Sequence, residues 1–355
     1  MPEVVVIGGG QGGLAAAYHL GRTGLTDFVV LDDAEGPGGA WRHRWESLTL
    51  GRAHDFHELP GLAMDADPAE LASVAVPRYY EAYERELRLP VRRPVKVRAV
   101  RRATPEESDG ADRLAVETDH GTWLARGVIS ATGTWQRPFW PAYPGQASFQ
   151  GRQLHAHDYR NAEEFADQHV VVVGGGASAV QILLELQHRA STTWVTRRAP
   201  VWGPPEVDEE SRREAAARVE ERTSVGLPPQ SVVAAAGLPL TPEYRRAMDA
   251  GVLYRLPMFS RIEPDGVVWD PSVVPPAPEF LSADVILWAT GYRASLDHLA
   301  PLKLRTREGG FVMDGPEVVA DPRIQLVGYG PSASTLGAAR AARAAVRNLR
   351  RVLGF

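Results

Sequence analysis

The stretch Val4-Val5-Val6-Ile7-Gly8-Gly9-Gly10-Gln11-Gly12-Gly13 decides the fold of this 355-residue chain. Its first four residues are apolar without polar alternation, which is typical of a parallel strand buried on both faces. The glycines then satisfy G-x-G-x-x-G at Gly8, Gly10 and Gly13. The first permits a tight turn, the second lets the backbone approach a pyrophosphate, and the third lets the following helix pack on the strand. The stretch therefore predicts a dinucleotide cradle at a helix N-terminus, where unpaired N–H groups attract phosphate.

An acidic pair ends the next strand candidate, residues 28–31. Asp32 lies 24 positions after Gly8, which is near the spacing expected for a carboxylate that accepts hydrogen bonds from a ribose. Asp33 is the alternative, and we expect one of the two side chains to be exposed to solvent.

A second copy of the pattern lies downstream. The apolar run 170–173 precedes Gly174, Gly176 and Ala179, which give G-x-G-x-x-A. Alanine at the third position keeps the helix slightly further from the strand, and the accepted pattern includes it. We therefore expect a second dinucleotide cradle here.

The strand after the second cradle ends differently from the strand after the first. Arg197 and Arg198 stand where the first unit has Asp32. An arginine favours a 2′-phosphate through a charge-assisted contact, worth about 1.5–3 kcal/mol, or roughly ten- to a hundredfold in affinity. NADPH is the expected ligand of this unit, with NADH as the alternative donor. The alternative for both arginines is a role as surface charges.

Two further apolar runs, 127–133 and 284–291, both end in Ala-Thr-Gly. Together with the repeated glycine loops they predict an α/β fold of two Rossmann-like dinucleotide-binding domains. Residues 1–150 are expected to begin the first domain, 151–283 to form an inserted second domain, and 284–355 to complete the first.

Composition narrows the function classes. The net charge of −5 gives no strong field for a nucleic acid or an anionic membrane, so neither is predicted as a partner. The chain has no cysteine, which excludes disulfides, thiolate nucleophiles and cysteine-ligated metals. No metal site is predicted. The first apolar run reaches glycine after four residues and has no basic segment before it, so we expect neither a signal peptide nor a membrane span, and we expect a cytoplasmic protein.

The order of several short motifs resembles that of the class B flavin-dependent monooxygenases, which include flavin-containing and Baeyer–Villiger monooxygenases. Among these, the sequence most resembles the short bacterial flavin-containing monooxygenases. The most specific piece is Phe149-x-Gly151-x-x-x-His155-x-x-x-Tyr159, which is similar to the linker fingerprint of that family. Supporting pieces are Gly38-Gly39-Ala40-Trp41 and the two Ala-Thr-Gly runs, the second of which continues into Tyr292.

The resemblance implies FAD in the first domain and NADPH in the second, with a C4a-(hydro)peroxyflavin that oxygenates a small sulfide, amine or ketone. The FAD-binding positions it implies are Gly8, Gly10, Gln11, Gly13, Asp32, Gly39, Trp41, Leu48, Val97, Ala131, Ser334, Thr335 and Leu336. The NADPH-binding positions are Gly174, Gly176, Ser178, Ala179, Arg197 and Arg198. His155 is a candidate for a catalytic role, or it packs between the domains.

The sequence departs from the family pattern in two places. Gly51 stands where many members carry an asparagine near the flavin, and the neighbouring Arg52 is a candidate catalytic substitute, with an exposed surface role as the alternative. The stretch Gly328-Tyr329-Gly330-Pro331 lacks the acidic residue that many two-dinucleotide flavoproteins place near the ribityl chain.

Three functions remain open from the sequence. The first is a monooxygenase that uses NADPH, O₂ and a small-molecule substrate. The second is an NADPH:acceptor reductase for ferredoxin or quinone, and the third is a nucleotide-binding regulatory protein. The two-domain frame alone does not separate them. The oligomeric state is also open, with a homodimer as one option.

Overall fold

The computed structural model of the protein describes residues 1–53, 56–204, 209–230 and 237–355. The strands of a first sheet are β1 (Val4–Ile7), β2 (Phe28–Leu31), β3 (Val91–Arg92), β7 (Gly127–Ser130), β18 (Met313–Asp314), β19 (Glu317–Val318) and β20 (Ile324–Leu326). Their order in the sheet is β18-β19-β20-β7-β1-β2-β3. Neighbours from β20 to β3 are parallel, and β18 and β19 add an antiparallel edge.

The strands of a second sheet are β8 (Arg152–His155), β9 (His169–Val173), β10 (Ser191–Thr196), β13 (Arg255–Pro257) and β17 (Val285–Trp288). Their order, β13-β10-β9-β17-β8, repeats the parallel part of the first sheet, and all pairs are parallel. Every residue of β1, β2, β7 and β17 is buried, as the apolar runs predict for parallel strands covered on both faces. The predicted α/β fold with two Rossmann-like units is therefore confirmed.

Each sheet carries an antiparallel meander inserted before its Ala-Thr-Gly strand. In the first unit these strands are β4 (Val97–Arg102), β5 (Leu114–Thr118) and β6 (Gly121–Ala125). In the second they are β14 (Arg261–Glu263), β15 (Gly266–Val268) and β16 (Phe280–Ser282). A short parallel pair, β11 (Trp202–Gly203) with β12 (Leu238–Pro239), belongs to neither sheet and packs against the core of the second unit. The five parallel strands and the meander of each unit therefore correspond, and the first sheet adds the antiparallel strands β18 and β19.

The second unit ends later than the sequence analysis placed it. Residue 284 was expected to begin the return to the first unit, but β17 pairs with both β8 and β9 of the second sheet. The position of β17 beside β9 is equivalent to that of β7 beside β1, so each Ala-Thr-Gly strand belongs to its own unit. The chain has returned by Ser295, whose backbone N–H donates to the Gly133 carbonyl over 3.0 Å.

The helices in the described ranges are α1 (Gln11–Arg22), α2 (Ala72–Glu86), α3 (Ala177–Leu186), α4 (Glu209–Ser224), α5 (Pro242–Asp249) and α6 (Thr335–Leu353). Helices α1 and α6 pack on one face of the first sheet, and α2 contributes side chains to the same apolar core. α1 packs against α6, which buries Ala338, Ala342, Ala345, Val346, Leu349 and Leu353. This spacing puts the apolar residues on one face of the helix, and the small alanines let the two helices approach closely. The last helix thereby closes the unit that the first strand began.

None of the helices in the described ranges is long and apolar enough to cross a membrane. In the same ranges, no group of three or more His, Asp or Glu side chains is arranged to hold a metal ion.

Candidate functional site

A cavity of about 820 Å³ opens at the carboxyl ends of β1, β2 and β7. This is where parallel α/β sheets bind ligands, and the volume is that of a ligand pocket. The predicted residues that line it are Gly8, Gly10, Gln11, Asp32, Gly39, Trp41, Val97, Ala131 and Ser334. The structure thus brings together predicted residues that are spread over more than 300 positions of the chain.

The first glycine loop has the steric properties that its pattern requires. A side chain on Gly13 would collide with the carbonyl oxygen of Gly8, so the third glycine allows α1 to start close to the strand. At Gly10, by contrast, no atom lies within 4 Å of the position that a Cβ would take. Gly10 is also the N-cap of α1. Because glycine has no side chain, the first N–H groups of the helix receive no capping hydrogen bond from this position. The open cradle at a free helix N-terminus fits a pyrophosphate.

Asp32 takes the strand-end position in the cavity wall, and Asp33 is the exposed neighbour. The Asp32 side chain is 6% exposed, and its Oδ2 accepts a hydrogen bond from Arg93 Nε over 2.8 Å. Arg93 also donates to both carboxylate oxygens of Glu84, over 2.7 and 2.9 Å. This network holds the Asp32 carboxylate in one orientation. Its other oxygen, Oδ1, accepts no hydrogen bond from Arg93 or Glu84. Arg93 and Glu84 could not be found from the sequence, because neither lies in a recognisable motif.

Gln11, the first residue of α1, is fixed by two contacts. The Tyr80 hydroxyl donates to its Oε1, and its Nε2 donates to the His57 carbonyl over 2.9 Å. Ser334 also lines the cavity and caps α6, since its Oγ accepts from the Gly337 N–H over 3.1 Å. The side chains of Thr335 and Leu336 lie outside the described residues.

Aromatic side chains meet where the Ala-Thr-Gly ends of the two units approach each other. Trp135, two residues beyond Gly133, stacks on Tyr292 of the second unit with ring centroids 5.3 Å apart. The His157 ring lies 4.4 Å from Trp135. The Arg44 guanidinium lies 5.0 Å from the Trp135 ring centroid and 5.4 Å from that of Trp41. We call Arg44, Trp135, His157 and Tyr292 the junction cluster.

The second glycine loop repeats the steric features of the first. A side chain on Gly174 would collide with the Ala289 carbonyl, while the Cβ position of Gly176 is open. Gly176 is the N-cap of α3 and makes no side-chain capping bond. Ser178 lies in the first turn of α3, and Ala179 is buried behind it. These residues lie outside the cavity of the first unit.

Arg197 and Arg198 follow β10 and are exposed. A third arginine, which the sequence analysis missed, lies beside them. Arg255, on the neighbouring strand β13, donates from Nη1 to the backbone oxygen and to Oγ1 of Thr196, each over 3.2 Å. The end of β10 therefore carries three guanidinium groups and presents a basic surface.

His155 lies in the core, not in the cavity wall. It is 0% exposed; its Nε2 lies 3.1 Å from the Gly291 carbonyl oxygen, and its Nδ1 accepts from the His157 N–H over 3.0 Å. Both ring nitrogens are therefore engaged within the protein. Burial lowers the pKa of His155 to about 4, which favours the neutral ring. This geometry supports the packing role of the linker motif over the candidate catalytic role.

Two further predicted residues point away from the cavity. The candidate catalytic residue Arg52 ends a 3₁₀ turn and forms an exposed ion pair with Glu243, with Nη2 and Oε1 2.7 Å apart. Leu48 is buried in the core of the second unit. Neither lines the cavity, because the 3₁₀ turn directs this segment towards α3 and α5, where Gln181 Nε2 also donates to the Arg52 carbonyl over 3.0 Å.

Comparison with known proteins agrees with this architecture. Residues 5–223, more than half of the chain, match the family model described as pyridine nucleotide-disulphide oxidoreductase. A mutant form of a flavin monooxygenase from Stenotrophomonas maltophilia is 36% identical over 99% of this chain and 100% of its own, with a TM-score of 0.82.

Curated relatives match over a shorter span. A CzcO-like uncharacterised oxidoreductase from Geobacillus kaustophilus is 31% identical over 52% of this chain and 51% of its own length. A Baeyer–Villiger monooxygenase from Streptomyces coelicolor is 33% identical over 58% of this chain and 40% of its own. The match therefore spans about half the length of these relatives, or less.

The family model is named after a disulphide, yet this chain has no cysteine and so carries no redox-active disulfide of its own. The predicted cofactors, FAD and a nicotinamide dinucleotide, agree with a pyridine-nucleotide family and a flavin monooxygenase relative. The chain belongs to the pyridine nucleotide-disulphide oxidoreductase family and, within it, to the flavin monooxygenases.

Proposed function

We propose that the protein is an FAD-dependent monooxygenase that uses NADPH and inserts one oxygen atom of O₂ into a small sulfide, amine or ketone. The observation that carries this proposal is the pair of open cradles, Gly10 and Gly176, at equivalent strand ends of two units. The junction cluster joins the two units beside the cavity.

The residues of the first cradle would bind and orient the FAD. The α1 N-terminus at Gly10 would hold the pyrophosphate, and the buried Asp32, fixed by Arg93, would accept hydrogen bonds from the ribose. The bound flavin supplies the redox chemistry and the reaction with O₂. What the protein adds is orientation and exclusion of water, and the aromatic rings of Trp135 and Tyr292 supply an apolar wall for this purpose.

The residues of the second cradle would bind the NADPH. The α3 N-terminus at Gly176 would hold its pyrophosphate, and Arg197 and Arg198 its 2′-phosphate. The missing cysteines argue against internal dithiol chemistry, and the similarity to a Baeyer–Villiger monooxygenase supports ketones within the substrate set.

An isotope experiment tests this function. Purified protein reconstituted with FAD is mixed with NADPH and ¹⁸O₂ in the presence of sulfides, amines and ketones, and the products are analysed by mass spectrometry. We expect a product that carries one ¹⁸O atom per NADPH consumed. NADPH-dependent reduction of a quinone or ferredoxin without any oxygenated product would contradict the proposal and support a reductase. A protein that binds neither FAD nor NADPH would contradict both.

A further inference from the structure

Arg44 is a half-buried cation whose Nε atom is fully buried, and it has no counter-ion in the described part of the chain. It follows the 3₁₀ turn Gly39–His43 and lines the cavity. Its Nε atom is buried and has no hydrogen-bond partner among the described residues. The guanidinium group contacts the rings of Trp41 and Trp135 instead, and no described carboxylate contributes to its electrostatic environment.

This arrangement is unfavourable unless a ligand completes it. Removing part of an ion from solvent is unfavourable unless a partner of opposite charge offsets the lost solvation. The two aromatic ring faces offset only part of this loss, and a ring face does not satisfy the directional N–H groups. Burial lowers the pKa of Arg44, but a guanidinium group remains protonated in proteins. A fixed positive charge therefore faces the cavity.

The position of Arg44 indicates which part of a ligand it can meet. A Cβ on Gly39 would lie 3.0 Å from the Gly10 Cα, so the turn begins at the first cradle. A 3₁₀ helix rises about 2 Å per residue, which places Arg44 roughly 10 Å further along. There it contacts Trp135, which stacks on Tyr292 of the second unit. The charge therefore lies at the junction of the units, away from the first pyrophosphate cradle.

A second unpartnered polar atom lies in the same cluster. The Nδ1 atom of His157 is buried and has no hydrogen-bond partner among the described residues, and its ring contacts Trp135 as the Arg44 guanidinium does. Two such atoms around one tryptophan are more than the occasional exception expected in a folded protein. They point to a polar group that comes from outside the chain.

We propose that Arg44 is the counter-ion for an oxyanion that a ligand brings to the junction of the two units. Two sources offer this chemistry, namely the carboxylate of an organic-acid substrate and the pyrophosphate of the second dinucleotide. Only the second source rests on the proposed function.

Binding measurements test the role of Arg44 independently of turnover. The variants Arg44→Gln and Arg44→Met remove the charge. Arg42→Gln is the matched control, because Arg42 lies two residues earlier in the preceding turn, is exposed and donates only to the Pro37 carbonyl among the described residues. Dissociation constants are measured on FAD-reconstituted protein for three probes: NADP⁺, phenylpyruvate, and phenylacetone, in which a methyl group replaces the carboxylate. Melting temperatures are measured without ligand.

We expect both Arg44 variants to bind at least one anionic probe tenfold or more weakly, while phenylacetone and the Arg42→Gln control show no such change. Loss confined to phenylpyruvate identifies a substrate carboxylate, and loss confined to NADP⁺ identifies the dinucleotide. Without ligand, Arg44→Met should melt at the same or a higher temperature, because an uncompensated charge is removed. Unchanged affinity for both anions in either folded variant would overturn the proposal and leave Arg44 a packing residue. If neither variant folds, the role as an uncompensated charge is equally refuted, since removing such a charge should not destabilise the protein.

Discussion

The hydroxyl of Tyr159 donates to Oε2 of Glu185 over 2.9 Å and thereby joins the linker motif to helix α3. The same carboxylate accepts from two residues of the first unit, Trp45 Nε1 over 3.0 Å and Ser47 Oγ over 2.7 Å. One side chain thus receives hydrogen bonds from three separate positions. Burial raises the pKa of Tyr159, with the Glu185 charge as a smaller cause, so the phenol remains a donor at neutral pH.

Removal of the Glu185 carboxylate should loosen the contact between the units. We expect Glu185→Ala to lower the free energy of unfolding by about 1–3 kcal/mol, because Tyr159 and Trp45 lose their acceptor in a half-buried site. Urea denaturation measures this. Glu81→Ala, an exposed glutamate on helix α2, is the matched control and should change little. Equal denaturation midpoints for the two variants would contradict the role of Glu185.

A substitution that blocks one cradle should abolish binding of its own dinucleotide and leave binding at the other cradle intact. Valine at Gly10 would fill the open space at the α1 N-terminus, so Gly10→Val should abolish FAD binding and leave NADP⁺ binding within a few fold of the original. Gly176→Val should abolish NADP⁺ binding and leave FAD binding within a few fold of the original. Flavin absorbance and NADP⁺ titration check both. Gly21→Val is the control, since Gly21 is exposed on α1 with open space around it. A yellow Gly10→Val protein that retains FAD would exclude this cradle as the pyrophosphate site.

The cradles could be predicted from the sequence because their requirements are local. Gly10 must leave space and Gly13 must permit close packing, and both demands concern neighbours in the same strand–loop–helix unit. The strand-end residue Asp32 follows from the same geometry, since the strand pairs with β1 in register. Sequence spacing therefore encodes these positions directly.

The partners of those residues could not be predicted, because they come from distant parts of the chain. Arg93 lies 61 positions from Asp32, and Glu185 lies 140 positions from Trp45. The sequence also does not predict in which direction a loop side chain points. Arg52 was a candidate for a position near the flavin, with an exposed surface role as the alternative, and one 3₁₀ turn directs it to an exposed ion pair with Glu243. The end of the second unit after β17 could have been predicted, because the Ala-Thr-Gly sequence that follows β17 repeats the one that follows β7.

The basic end of β10 should determine the choice between NADPH and NADH. We expect Arg197→Ala to lower the preference for NADPH about ten- to a hundredfold, since a charge-assisted contact is worth about 1.5–3 kcal/mol. The ratio of KM values for the two donors measures it. The double variant with Arg198→Ala should extend the effect, and Arg347→Ala, an exposed arginine on α6, is the control. An unchanged ratio in the double variant would rule out the phosphate contact.

His155 should make the stability of the protein fall with acidification. The pKa of its buried ring is lowered to about 4, whereas the unfolded chain has the ordinary value of about 6.5. Between these values the unfolded state binds a proton that the folded state does not, so stability is complete above about pH 6.5 and is lost as the pH falls towards 4. The slope reaches at most about 1.4 kcal/mol per pH unit, for a total of about 3 kcal/mol.

Urea denaturation at pH 7 and pH 5 measures this contribution. His298, whose pKa burial also lowers to about 4, adds a similar loss, so His155→Phe should remove part of the pH dependence and leave the rest. The variant loses stability at pH 7, because the Gly291 carbonyl and the His157 N–H lose their partner, yet its stability should change less between pH 7 and pH 5. His188→Phe, at an exposed position, serves as the control and should keep the full pH dependence. If His155→Phe also kept the full pH dependence, His155 would not contribute to it. The folded protein would then accept a proton at His155 without a loss of stability, which contradicts a ring held neutral in the core.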